Sequence, residues 1–222
     1  MDSEFLDALW KSRHKCEDFA DLGRLLDSYA RETQDLDART ELDWRRARWH
    51  HFAAMQCGAA GDKKAARAHF ERGANLAQWT LDDGRIEGRF WWAVNYLEAG
   101  RLGGSWPSYW ALRGAKPHLE TVAGMDETFH FAAPLRVLGR IAHLAPPRLG
   151  GGVAAGRNYF ERALEIADNS TTRLYCGELL AASGDETGAR AQFEAILDAP
   201  EDENWKWEQA RDRISAAQHL GR

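Results

Sequence analysis

The sequence predicts an all-α fold built from helical hairpins, and three observations carry that prediction. The 222 residues include 36 alanines and 23 leucines against 4 valines and 5 isoleucines. Strong helix formers therefore abound, while the β-branched aliphatics that fill sheets are scarce, which excludes a mostly β protein and a parallel α/β sheet. A six-residue pattern, small-Arg-x-x-Phe-Glu, recurs without gaps at 66–71, 156–161 and 189–194. A glycine stands nine residues before each of those phenylalanines, at Gly61, Gly151 and Gly184, and Asp62 and Asp185 follow two of them.

Such a repeat describes a helix–turn–helix unit. The glycine takes the conformation that ends helix A, and the aspartate caps helix B. The small residue lets the paired helix come close, and the phenylalanine four residues later fills the gap. Phe160 and Phe193 lie 33 residues apart, near the period of about 34 of tetratricopeptide repeats. Ala54 and Gly177, sixteen residues before Phe70 and Phe193, take the small helix-A position of that pattern. In the middle unit the small residue is Gly139, 21 before Phe160, so five extra residues enlarge its turn. Turns between packed helices are short, so this Pro/Gly-rich segment, 145–152, is either a functional element or a rigid packing loop.

Each element follows in order. Helices are expected at 4–15 and 20–33, an N-terminal hairpin within 1–35, and at 37–59 and 63–79, the first repeat. A divergent pair at 86–99 and 107–119 has Pro107 in the first turn of its second helix. The enlarged repeat covers 127–145 and 153–167, and the last repeat 171–183 and 186–198, with Pro200 ending the repeat region 36–200. A closing helix at 203–220, within 201–222, carries Trp207, Ala210, Ile214 and Ala217 at helical spacing as its apolar face, with Lys206, Arg211 and Arg213 on the solvated side. The whole of 1–222 is expected to be a single all-α domain, tetratricopeptide-like hairpins stacked into one compact bundle.

Composition narrows the function. Thirty-four acidic against 29 basic residues give a net charge of -5, which disfavours nucleic acid as a partner. The longest apolar runs, such as 52–55, are far too short to cross a bilayer. Cys16, Cys57 and Cys176 match no zinc or thioredoxin spacing and read as free thiols, or as one disulfide in an exported protein. No nucleophile elbow, Walker loop or metalloprotease helix occurs, so no catalytic residue and no cofactor is expected. No metal site is expected either. His50 and His51 are adjacent and point to different faces, and His118, His130 and His143 lack the spacing of a helical metal site. Arg45, Arg46 and Arg48, flanked by Glu41 and Asp43, read as a solvated helix face.

The aromatic content, ten Trp, five Tyr and nine Phe, is the informative excess. On the helix at 86–99, Phe90, Val94 and Leu97 form one stripe, Trp92, Tyr96 and Ala99 a second, and Trp91 and Asn95 a third. A helix apolar around most of its circumference is buried on most sides. Either these rings fill the core, or Trp91, Trp92, Tyr96, Trp106 and Trp110 wall a cavity with Asn95 as its polar anchor. Arg136, Arg140 and His143 share one face before the enlarged turn, as an exposed stripe or a polar rim to that cavity. Pro146 and Pro147 stiffen the turn, and the glycines at 150–152 loosen it.

Three motifs, taken together, resemble a known family. They are Gly88-Arg89-Phe90-Trp91-Trp92-Ala93-Val94-Asn95; Leu138-Gly139-Arg140 followed by Ala145-Pro146-Pro147 and Gly150-Gly151-Gly152; and Ser170-Thr171-Thr172-Arg173-Leu174-Tyr175 with Gly184-Asp185 and Ala189-Arg190 after it. In this order and spacing the chain is similar to the T component of TRAP-type transporters, the TatT-like family, over about residues 86–220. The resemblance implies an all-α periplasmic protein of tetratricopeptide-like hairpins around a hydrophobic pore or cavity. It also implies a periplasmic ligand-binding protein as partner and an apolar ligand, lipid or sterol-like. The expected function is a non-enzymatic binding or transfer component whose ligand-binding residues are Trp91, Trp92, Asn95, Tyr96, Trp106, Trp110, Arg140, Pro146 and Pro147. The alternative is a tetratricopeptide-type scaffold that holds a partner protein. Residues 1–5 are acidic and lack the basic-then-apolar pattern of a signal peptide, so the periplasmic expectation assumes an export signal outside the given sequence. Membrane anchoring is not supported, since Cys16 lies within helical sequence.

Overall fold

The computed structural model describes residues 3–222; Met1 and Asp2, the start of the segment read for a signal peptide, lie outside the described residues. Among the described residues there are eleven α-helices and no strand. They are α1 (Ser3–Lys11), α2 (Cys16–Glu32), α3 (Leu36–Ala59), α4 (Lys63–Ala77), α5 (Ile86–Leu102), α6 (Ser105–Met125), α7 (Phe129–Leu144), α8 (Val153–Ile166), α9 (Ser170–Ala182), α10 (Glu186–Asp198) and α11 (Lys206–His219). None of them is long and apolar enough to cross a membrane. They group into two compact units, Met1–Met125 and Asp126–Arg222.

In the first unit, α1 and α2 close on Leu6, Leu22, Leu26 and Ala30, with Leu42 of α3 in the same cluster. The first repeat is α3 and α4. Gly61 ends α3 with φ of +85°, and the Asp62 carboxylate accepts from the Ala65 N–H at 2.9 Å. Ala54 and Phe70 meet in the core between the two helices. The arginine run of α3 is not a solvated face: Arg45 is buried and bonds the Asp7 and Glu41 carboxylates. Arg48 lies over the Trp10 ring at 4.1 Å, and burial pushes its pKa down to about 9. Short arginine-to-ring and arginine-to-carboxylate contacts reward enclosing these groups, which a charge count along the chain does not register.

In the second unit, the repeat geometry recurs in α9 and α10. Gly184 has φ of +86°, Asp185 caps α10 through the Gly188 N–H at 2.9 Å, and a Cβ on Gly177 would fall 2.5 Å from the Phe193 ring. In α7 and α8, Gly139 accepts the Phe160 ring in the same way, at 2.6 Å from where its Cβ would be. Phe70, Phe160 and Phe193 are all buried. The enlarged turn uses its glycines differently. The left-handed residue is Gly150, whereas Gly151 lies where a Cβ would run into the Ala145 carbonyl oxygen. The Gly152 N–H donates to Ala142 O at 2.8 Å, which ties the turn back onto α7.

Three expectations of local structure are corrected. Helix α6 extends to Met125, beyond the expected end at 119. At the start of α7, His130, Phe131 and Ala132 are left-handed, with φ of 49°, 61° and 54°, a conformation costing about 1–2 kcal/mol per residue. Arg136 Nη1 donates to the Phe131 carbonyl at 3.0 Å, and the His130 and Phe131 rings lie 5.4 and 5.3 Å from Trp205, contacts that hold the turn. Helix α11 is rotated from the expected face. Ala210 and Ile214 are exposed, Ile214 to 63%, and Glu208, Gln209, Asp212 and Ala216 are buried. The reason is polar: Asp212 Oδ2 accepts from Ser170 Oγ at 2.8 Å and Thr171 Oγ1 at 2.6 Å, while Arg211 donates to Oδ1 at 2.6 Å. A satisfied buried carboxylate outweighs burial of one isoleucine.

Candidate functional site

Helix α5 is apolar nearly all round, and two of its stripes face different neighbours. Trp91 and Asn95 look toward α3 and α4. The Trp91 ring lies 5.6 Å from His51. The Asn95 amide donates to Ala47 O at 3.1 Å and to Trp91 O at 2.7 Å. Gly73 of α4 admits the Asn95 side chain, for a Cβ there would stand 2.6 Å from Oδ1. Both residues are buried and tie α5 to the first repeat.

Trp92 and Tyr96 face α6. Their rings stack at 4.9 Å with an interplanar angle of 18°, and Trp92 lies 4.7 Å from His118. Gly114 makes room for Tyr96, since a Cβ there would sit 2.9 Å from Cε1. Arg89 Nη1 bonds His118 Nδ1 at 3.0 Å. A guanidinium has only donors, so Nδ1 accepts and the His118 ring is neutral. Burial first, and then the Arg89 charge, lowers the His118 pKa.

Trp106 and Trp110 open α6 and stand in solvent, 70% and 48% exposed. Their rings meet edge to face at 5.7 Å, and Tyr109 contacts both, at 6.1 and 5.3 Å. Arg113 Nη1 donates to the Tyr109 hydroxyl at 3.0 Å. Trp106, Trp110, Gly114 and His118 follow at intervals of four, so Tyr96 and Trp92 continue the same face one and two turns further on. The arrangement is an aromatic face, half-buried at one end and open at the other, that can cover flat apolar surface.

Arg140, Pro146 and Pro147 belong to the second unit. Arg140 is ion-paired with Glu178, and its guanidinium lies over the Tyr175 ring at 4.5 Å, so its charge is already matched. Pro146 and Pro147 are exposed and lead into a short 3-10 turn, Pro147–Leu149. Arg136, read as an exposed stripe or a rim, is neither: it is buried and burial lowers its pKa to about 10.

One feature of the first unit escaped sequence reasoning. A pocket of about 310 Å³ opens between α2 and α3, floored by Gly23, Leu26 and Trp49 and edged by Asp27, Arg46 and His50. None of the expected ligand-binding residues lines it. His50 Nδ1 meets His69 Nδ1 at 2.9 Å, and burial, then His69, pushes the His50 pKa down to about 4. The repeat alignment holds the signal, for His69 sits just before Phe70, on the turn of α4 that faces α3. Among the described residues, Cys16, Cys57 and Cys176 are all free thiols, and no group of three or more His, Cys, Asp or Glu could hold a metal ion.

Comparison with known proteins gives this architecture a family. The family model of the TRAP transporter T-components matches residues 25–208. The chain belongs to that family. The match spans parts of both units and the whole aromatic face of this T-component. A solved structure, that of a thermophilic TPR protein from Thermus thermophilus, is similar over 79% of this T-component and 100% of its own chain, at 18% identity and a TM-score of 0.51. At that identity the likeness shows the fold, which is the helical-repeat fold expected from the sequence. No curated protein matches this T-component.

Proposed function

We propose that this T-component is a non-enzymatic part of a periplasmic transport system and handles an apolar ligand, lipid or sterol-like, on the aromatic face of α5 and α6. The observation that carries the reading is the exposed Trp106–Trp110 pair continuing into the stacked Trp92 and Tyr96. Two large rings held in water without burial cost solubility and find their use in contact with apolar matter. Its partner in this reading is a periplasmic ligand-binding protein, met by the exposed turn at Pro146 and Pro147. A fluorescent sterol and a fatty acid, each delivered from cyclodextrin, test the reading. Energy transfer from tryptophan rises on binding and changes little with salt, because burial and not charge drives it. Trp92→Ala weakens binding of whichever ligand is taken. Absence of transfer with both compounds ends the ligand reading.

A second reading, a scaffold for a partner protein, draws on the openness of the same face, since Trp106 lies in solvent and not in an enclosed cavity. Co-elution with the ligand-binding protein that is lost in Trp106→Ala/Trp110→Ala, but kept in Trp92→Ala, favours it.

A further inference from the structure

We propose that the outer part of the aromatic face, Trp106, Tyr109, Trp110 and Arg113, docks onto the surface of an anionic lipid bilayer. The inference rests on the reading of this face as an apolar contact surface and names where the contact is made.

The residue types point to an interface between water and lipid. Trp106, Trp110, Arg113 and Pro117 lie at i, i+4, i+7 and i+11, an exposed ridge of α6. The ridge carries indole rings, with the half-buried Tyr109 phenol beside them, and no exposed Leu, Ile or Phe. Trp and Tyr have an apolar body and a polar tip, and they settle at the headgroup level of bilayers. Two tryptophans packed into the protein bond their indole N–H internally, Trp49 Nε1 to Phe19 O at 2.9 Å and Trp205 Nε1 to Thr171 Oγ1 at 3.2 Å. The indole N–H groups of Trp106 and Trp110 have no protein acceptor among the described residues, so they remain available to headgroup oxygens.

Charge selects the kind of lipid. The carboxylates nearest along α5 and α6 are neutralised, Glu98 by Arg101 at 2.7 Å and Glu120 by Lys116 at 3.7 Å. Arg113 has no carboxylate partner among the described residues; it bonds the Tyr109 hydroxyl and lies 5.8 and 6.0 Å from the Tyr109 and Trp110 rings. One uncompensated guanidinium beside three interfacial rings matches a phosphate-bearing surface. The first half of α6 contains no acidic residue to oppose it. No helix need enter the bilayer for this contact, which is distinct from a covalent or spanning anchor.

Vesicle flotation tests the proposal with the full chain and two lipid compositions, phosphatidylcholine alone and phosphatidylcholine with phosphatidylglycerol. The chain floats with the anionic vesicles, and its tryptophan emission shifts to the blue. Trp106→Ala/Trp110→Ala, still helical by circular dichroism, loses roughly tenfold or more of its partitioning into both compositions. Arg113→Gln loses roughly fivefold with anionic vesicles and little with neutral ones. A wild-type chain that floats with neither composition overturns the proposal. So does a double tryptophan variant that floats like wild type. If flotation fails while the cyclodextrin-delivered sterol or fatty acid still binds, the bilayer inference falls and the ligand reading stands. If flotation succeeds and neither compound binds, the ligand reading falls alone. If the double variant instead loses only a protein partner, the face is a protein interface and the bilayer proposal is wrong.

Discussion

The α5–α6 pair and the α9–α11 group fill the space between helices by opposite means. Helices α9 to α11 bury a carboxylate, Asp212, and surround it with the hydroxyls of Ser170 and Thr171 and the guanidinium of Arg211. Trp205, just before α11, is buried and bonds Thr171. Helices α5 and α6 pack aromatic rings on one another, and they leave two indoles in water with their N–H groups unused by the protein. Where a buried carboxylate is ringed by donors from the same helices, those groups have little left to offer a ligand and the network serves the fold. Where rings and donors stay open, the surface has interactions left to make. This contrast gives one region a structural role and leaves the other as the proposed contact surface.

Four measurements probe this difference. The largest effect belongs to the repeat core. Phe160→Ala costs roughly 3–5 kcal/mol in urea unfolding, as buried phenylalanine truncations do; a loss well below that shows that Gly139 and Phe160 do not set the packing of α7 on α8. Next is the polar network, where Asp212→Asn costs about 2–3 kcal/mol because charge-assisted hydrogen bonds become neutral ones inside the protein. An unchanged unfolding midpoint would deny Asp212 its structural role.

Third comes the pH effect that His50 brings to the first unit. Burial and His69 hold His50 at a pKa of about 4, below the ordinary histidine value of about 6.5. The unfolded chain therefore binds the proton first. The contribution of neutral His50 is complete above pH 6.5 and is lost as pH falls toward 4. Between pH 7 and pH 6 the loss is about 0.5 kcal/mol once solvent screening at the pocket edge is allowed for. His50→Gln flattens this slope, and a slope equal to wild type removes His50 from the account. The smallest effect sharpens the contrast most: Trp106→Ala/Trp110→Ala leaves stability within about 0.5 kcal/mol, as exposed substitutions do. A large loss would mean that these rings hold α6 in place and do not wait for a ligand.

Most of the helices, and the turns of the first and last repeats, could be read from the sequence alone. Gly61-Asp62 and Gly184-Asp185 each combine a left-handed helix end with a side-chain cap, and both rules act within a few residues of chain. The small-residue and phenylalanine pairs, Gly139 with Phe160 and Gly177 with Phe193, were legible because a repeated spacing reports a repeated contact. The family was legible too, through motifs whose order the fold preserves. Which face of each helix meets which neighbour depends on the packing of segments distant in the chain. Helix α5 is apolar around most of its surface, so its pattern could not tell that Trp91 and Asn95 turn inward while Trp92 and Tyr96 turn to α6. In α11 the apolar spacing of Trp207, Ala210 and Ile214 pointed one way, and Asp212 turned the helix the other. A side chain's hydrogen-bond partners come from segments distant in the chain, Ser170 and Thr171 for Asp212, Ala47 for Asn95, and the energy of those contacts exists only once the helices have packed.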